Sequence, residues 1–207
     1  MHIFINAKAY EQSSAKNADR FLKKLESAKH KVTACLQPGD VHLSKSHKTP
    51  VWSQHVDPIT PGAHTGWILP ENMKANGAKG VLINHSEHRT KELKATIKRC
   101  KEVGLKTMLL VPRSKDIIQA KKLKPDFLGV EPPELIGSKT VSVADKPKII
   151  ETALKNAGKI PLFVGAGIHS AHDYRVCKEM GVYGLLIASA IVKAKNPTKA
   201  LDDLFKK

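Results

Sequence analysis

The chain has 207 residues, 41% hydrophobic and 26% charged, which is the size and balance of one globular domain with room for a substantial core. No run approaches the ~18 apolar residues of a membrane span; the longest candidate, 181–192, is interrupted by Gly184 and Ser189. The formal net charge is +16, which argues against an acidic, salt-adapted surface and raises the question of a polyanionic partner.

Short apolar runs alternate with amphipathic segments from end to end. Ile3-Phe4-Ile5 predicts a first strand, running into Asn6-Ala7-Lys8. Ala18, Phe21, Leu22, Leu25 and Ala28 then recur at helical spacing, with Lys23, Lys24 and Glu26 elsewhere. Val32 to Leu36 predicts a second strand and Val51-Trp52-Ser53 a third, ending at Gln54-His55. Val81-Leu82-Ile83 predicts the fourth, running into Asn84-His85-Ser86-Glu87. A helix begins at Ser86 in this reading, and further on Leu93, Ile97 and Cys100 mark its apolar side. Thr107 to Val111 is the fifth strand, stopped by Pro112. Phe127 to Val130 is the sixth and leads into Glu131-Pro132. Leu162-Phe163-Val164 is the seventh, followed by Gly165-Ala166-Gly167, and Gly184 to Ile187 the eighth, followed by Ala188-Ser189. Helical segments are predicted around 146–157, 171–180 and 197–206.

Eight strands alternating with helices, with no linker or break in composition, favour a closed (β/α)8 barrel over residues 1–207, with a doubly wound sheet as the alternative. Typical barrels run to ~250 residues, so outer helices should be short or missing around 39–50 and 112–125. Both architectures place their chemistry at the C-terminal ends of the strands.

Of the 35 basic residues, 30 are lysine; the arginines are Arg20, Arg89, Arg99, Arg113 and Arg175. Readers of nucleic-acid bases favour arginine's planar fork, and the lysines are spread along the chain rather than massed in one arm. Nucleic acid is therefore not an expected partner. Attraction of an anionic substrate by the positive field is the other reading. Cys35, Cys100 and Cys177 are too far apart in sequence for a metal or disulfide pattern. No basic region followed by an apolar stretch opens the chain, and a reducing, cytoplasmic setting is expected. No cofactor or metal ion is expected.

Taken singly, Lys8, His85 and Glu131 are unremarkable: a lysine among 30, a histidine among ten, a glutamate in a proline-bounded loop. Their shared position after strands changes their meaning. A carboxylate, an imidazole and an ammonium group around one small site can move a proton next to a carbonyl and stabilise the resulting oxyanion. Small residues after the seventh and eighth strands let backbone N–H groups approach a phosphate. The combination points to an isomerase or lyase of a small phosphorylated carbonyl compound. Another phosphate-binding barrel chemistry, or a basic nucleic-acid-binding scaffold without activity, are the competing readings.

Asn6-Ala7-Lys8, the stretch from Gln54 to Gly66, Asn84 to Arg89, Val130 to Gly137, Val164 to Ile168 and Ile187-Ala188-Ser189 together resemble the triosephosphate isomerase family, in its shorter archaeal branch. The resemblance runs in order over nearly the whole chain. It implies interconversion of dihydroxyacetone phosphate and D-glyceraldehyde 3-phosphate through an enediolate, in glycolysis and gluconeogenesis. Glu131 would be the base, and His85 the electrophile, acting as a neutral imidazole at a helix N-terminus. Lys8 would supply fixed charge and Asn6 an oxyanion hydrogen bond. Asn6, Lys8, Ile136, Gly167, Ala188 and Ser189 would bind substrate and phosphate, and Glu87 would pair with Lys8. Thr65 would reach the active site of a neighbouring subunit in a dimer or tetramer. Pro132 to Lys139 resembles a lid, with Gly137-Ser138-Lys139 where relatives carry Gly-Thr-Gly. Leu110 replaces a common cysteine, a change expected to be neutral.

Overall fold

The computed structural model describes residues 1–138 and 140–206. All eight expected strands form: β1 (His2–Asn6), β2 (Thr33–Leu36), β3 (Val51–Ser53), β4 (Gly80–Ile83), β5 (Lys106–Val111), β6 (Phe127–Val130), β7 (Leu162–Val164) and β8 (Gly184–Ile187). They pair in parallel in sequence order, and β8 returns to β1 through His2↔Gly184 to Ile5↔Ile187, so the barrel is closed. That pairing decides between the barrel and the open sheet.

Two apolar layers hold it together. Inside the barrel, Phe4, Cys35, Trp52, Leu82, Met108, Leu110, Phe163 and Leu186 fill the lumen. Large interior side chains are accommodated by glycines on adjacent strands: a Cβ on Gly129 would lie 2.3 Å from Leu110 Cδ2, and one on Gly184 2.3 Å from Phe163. Leu110 therefore fits its position because Gly129 leaves the volume. The second layer lies between the sheet and the outer helices.

Helix α1 (Lys16–Glu26) buries Ala18, Phe21, Leu22 and Leu25 against the sheet, the apolar face its spacing predicts. α2 (Pro70–Ala75) is an addition to the expected elements. α3 (Leu93–Glu102) buries Ile97 and Cys100. α4 (Ile117–Ala120) is one turn flanked by 3-10 turns. The β2–β3 connection carries only a 3-10 segment, Pro38–Lys45. These are the two places where shortened helices are expected. α5 (Pro147–Ala157), α6 (Ala171–Glu179), α7 (Ser189–Val192) and α8 (Pro197–Leu204) complete the shell.

One expectation fails. No helix begins at Ser86; His85 to His88 form a single turn closed by His88 N–H on His85 O (3.0 Å), and α3 starts at Leu93. Asn84 is the reason. It adopts a left-handed conformation, φ 66°, and locks the following loop through Thr90: its N–H donates to Thr90 Oγ1 (3.1 Å) and its Oδ1 accepts from Thr90 N (3.3 Å).

Candidate active site

Because the strands are parallel, the residues that follow them gather on one rim. A cavity of about 340 Å³ opens there, lined by Asn6 at the end of β1 and Lys8 just after it, Glu131 after β6, Ile136 to Ser138, Ala166 to His169 after β7, and Leu186 to Ala190 around the end of β8. It takes in every residue expected to bind substrate. His85 is not among the lining residues, and its Nε2 lies 3.2 Å from Glu131 Oε2.

Lys8 is held in an unfavourable backbone conformation, φ 48°. Gln54, at the end of β3, makes this possible: its Nε2 donates both to Lys8 O (3.1 Å) and to Cys35 O (2.9 Å). From the other side, Lys8 N donates to Asn6 Oδ1 at 3.2 Å. Strain of this kind persists where the surroundings over-determine it, as at active sites. The Lys8 ammonium then meets Glu87 at 2.6 Å. Glu87 is half exposed, so the pair adds little stability; its effect is to aim the cation.

His85 and Glu131 are both buried, 8% exposed each. Glu87 N–H donates to His85 Nδ1 at 3.2 Å. A nitrogen that accepts a hydrogen bond carries no proton, so the neutral ring bears its hydrogen on Nε2. Nε2 lies 3.2 Å from Glu131 Oε2. The two atoms are not aligned for a hydrogen bond, and Glu131 Oε2 is buried without a hydrogen-bond partner among the described residues. The turn at 85–88, rather than a helix terminus, supplies the donor that sets the imidazole.

Gly167 lines the cavity, and Gly165 precedes it just after β7. A Cβ at Gly165 would lie 2.8 Å from Glu131 Oε1 and 3.0 Å from Leu186 O. Gly167 has φ 77°, and a Cβ there would fall 2.5 Å from Val141 O, so only glycine satisfies both the backbone and the space. Ala188 caps α7, whose first turn begins at Ser189. The leading N–H groups of a helix have no intrahelical acceptor and suit a phosphate.

Tyr10 and Lys193 also line the cavity, with Lys193 Nζ 4.2 Å from the Tyr10 ring centroid. Nothing in the sequence pattern singles them out; they arrive through the loops after β1 and β8. Thr65 is exposed on the β3–α2 loop and does not line the cavity. Lys139, the position where the lid departs from its relatives, lies outside the described residues. The three cysteines are buried. Desolvation, with the Glu131 charge added, pushes the Cys35 thiol up, and desolvation pushes Cys100 and Cys177 up to about 12. None is poised as a nucleophile. No cluster suited to a metal ion occurs among the described residues.

The family model for triosephosphate isomerase matches residues 1–204. The triosephosphate isomerase of Saccharolobus solfataricus is 41% identical, with 97% of this chain and 93% of that protein covered. Those of Methanoculleus marisnigri and Methanocaldococcus jannaschii are 37% and 36% identical, the first covering 98% of this chain and 96% of the relative, the second 100% and 99%. Among solved structures, triosephosphate isomerase from Bartonella henselae superposes with a TM-score of 0.73 over 99% of both chains at 20% identity, which speaks to the fold alone. With that match over nearly its full length, on a barrel that carries its lysine, histidine and glutamate on one rim, the chain belongs to the triosephosphate isomerase family.

Proposed function

We infer that this protein interconverts dihydroxyacetone phosphate and D-glyceraldehyde 3-phosphate, the triose step of glycolysis and gluconeogenesis. The observation that carries the reading is the buried Glu131 carboxylate, unpartnered at Oε2 and 3.2 Å from His85 Nε2 at the wall of a cavity that also holds Lys8. Glu131 takes a proton from the substrate carbon next to the carbonyl and returns it to the neighbouring carbon. His85 donates from Nε2 to the developing oxyanion, while Lys8 and Asn6 stabilise its charge. Backbone groups at Ile136, Gly167, Ala188 and Ser189 hold the phosphate. Closure of the segment from Pro132 onward excludes water from the enediolate. The proposed steps are proton transfers and use neither cofactor nor metal ion.

Residues 1–207 act in this reading as a single barrel domain in the cytoplasm. The protein works as a homo-oligomer, a dimer or tetramer, in which the exposed Thr65 approaches a neighbour's site. The family match leaves the diverged-barrel and inactive-scaffold readings without support.

A coupled assay in both directions tests the reading. His85→Ala should lower kcat by roughly 10²–10⁴. Glu131→Asp, which withdraws the base by about 1 Å, should lower kcat about a hundredfold with KM little changed. Unchanged turnover in either variant removes that residue from its assigned role.

A further inference from the structure

The barrel has a second face, at the N-terminal ends of the strands, and it carries six exposed lysines. Lys31 precedes β2, Lys48 precedes β3, Lys79 abuts β4, Lys106 opens β5, Lys124 precedes β6 and Lys159 precedes β7; all six are exposed. Scattered through the sequence, they share a face because eight parallel strands all begin on it. The strands they introduce pair in order from β2 to β7, and one backbone bond joins two of the six directly, from Lys106 N to Lys79 O (3.2 Å).

None of the six forms an ion pair among the described residues. Of the exposed carboxylates near the run, Glu102 pairs with Lys98 and Arg99, and Asp126 accepts at Oδ2 from Thr107 N–H (2.8 Å) and Oγ1 (2.9 Å). Glu26, beside Lys48, accepts from the backbone N–H groups of Lys48 and Thr49 and lies 3.3 Å from His47. Lysines in the last turns of α1, α2, α3, α5 and α6 complement helix dipoles. That account does not reach the six, which lie outside those helices.

Aromatic groups complete the face where β8 meets β1. His2 and Tyr183 stack at 4.5 Å between ring centroids with 14° between planes, and Tyr183 is 38% exposed. Phe127 and Phe163 support Tyr183 from the barrel interior at 5.8 and 5.6 Å.

We propose that this face binds single-stranded nucleic acid without sequence preference, in addition to the isomerase activity of the opposite rim. Lysines meet backbone phosphates as point charges, which suits sequence-independent binding. A supported aromatic pair beside them offers a stacking surface for a base. An anionic membrane or a protein partner would use exposed aliphatic or Trp side chains as well, and the other exposed large hydrophobics, Trp67, Ile118 and Val141, lie in or beside segments that follow β3, β5 and β6. The spread along the sequence spoke against nucleic acid because it cannot show which lysines the fold collects, and the scarcity of arginine bears on base reading rather than on phosphate contact.

The test is fluorescence anisotropy of a labelled oligouridylate over a range of salt. The native protein should bind with log K falling linearly in log salt. Combined Lys48→Gln, Lys79→Gln, Lys106→Gln and Lys124→Gln should lower the slope by about 3, at ~0.7 per phosphate contact. A charge-matched control, Lys91→Gln, Lys94→Gln, Lys98→Gln and Lys195→Gln, should retain most of the native slope. Tyr183→Ala should weaken oligouridylate binding several-fold while sparing duplex RNA. Cooperative melting and retained isomerase turnover confirm that each variant is folded. No binding by the native protein at low salt overturns the proposal, as does equal loss in the two quadruple variants. Association with phosphatidylserine vesicles but not with the oligonucleotide overturns it in favour of a membrane.

Discussion

The proposed base and its neighbours are set by close approaches that leave little room for substitution. At Gly165, an added methyl group meets Glu131 Oε1 at 2.8 Å on one side and Leu186 O at 3.0 Å on the other. Backbone cannot move aside as a side chain can, so the carboxylate must shift. Gly165→Ala should therefore lower kcat by about ten- to a hundredfold, with a smaller change in KM. Steady-state kinetics checks this, and native turnover would show that Glu131 tolerates displacement. The same scale explains Gln54 and Asn84, which the sequence presents as ordinary polar residues. Gln54 holds Lys8 at φ 48°, and Asn84 takes φ 66° before His85. Asparagine tolerates that conformation better than most residues, a preference invisible until the backbone is known.

Among the elements, α6 is tied to both the end of the β6–α5 loop and the phosphate wall through one buried carboxylate. Asp173, 3% exposed, accepts from Ser142 Oγ (2.8 Å), His169 N (3.0 Å) and Ser170 N (2.9 Å), and Ser170 Oγ accepts in return from Asp173 N (3.2 Å). Desolvation pushes this carboxyl up, but the hydrogen bonds from His169, Ser142 and Ser170 together outweigh it and hold it below its ordinary value. A carboxylate lowered by folding contributes stability that is fully present above its unfolded value, about pH 4, and is lost as pH falls through the folded value. Asp173→Ala strands three donors and should cost roughly 2–4 kcal/mol near neutral pH. The gap between native and variant melting should narrow below about pH 4. A gap constant in pH would mean that the carboxylate's charge contributes nothing. The capping box of Ser170 and Asp173 is local to the start of α6; the link from Ser142 is not, because those residues meet only when the β6–α5 loop packs on α6.

For the whole molecule, a net charge of +16 acting on a phosphorylated substrate should raise encounter rates. kcat/KM is expected to fall as salt rises, while kcat stays level; a flat kcat/KM in an enzyme near its encounter limit would remove steering as the reason for the charge. The strands, the longer helices α1, α5, α6 and α8, and the three residues after β1, β4 and β6 were determined by the sequence itself, because period, apolar runs and chain position are local properties. The shortened connections also followed, from length alone. Closure of β8 on β1, the turn in place of a helix at Ser86, the approach of Tyr10 and Lys193 to the cavity, and the gathering of six dispersed lysines on the opposite face were decided only by tertiary structure. Each depends on contacts between segments far apart in the chain, whose pairing is settled by packing volume and backbone hydrogen bonds rather than by any local preference.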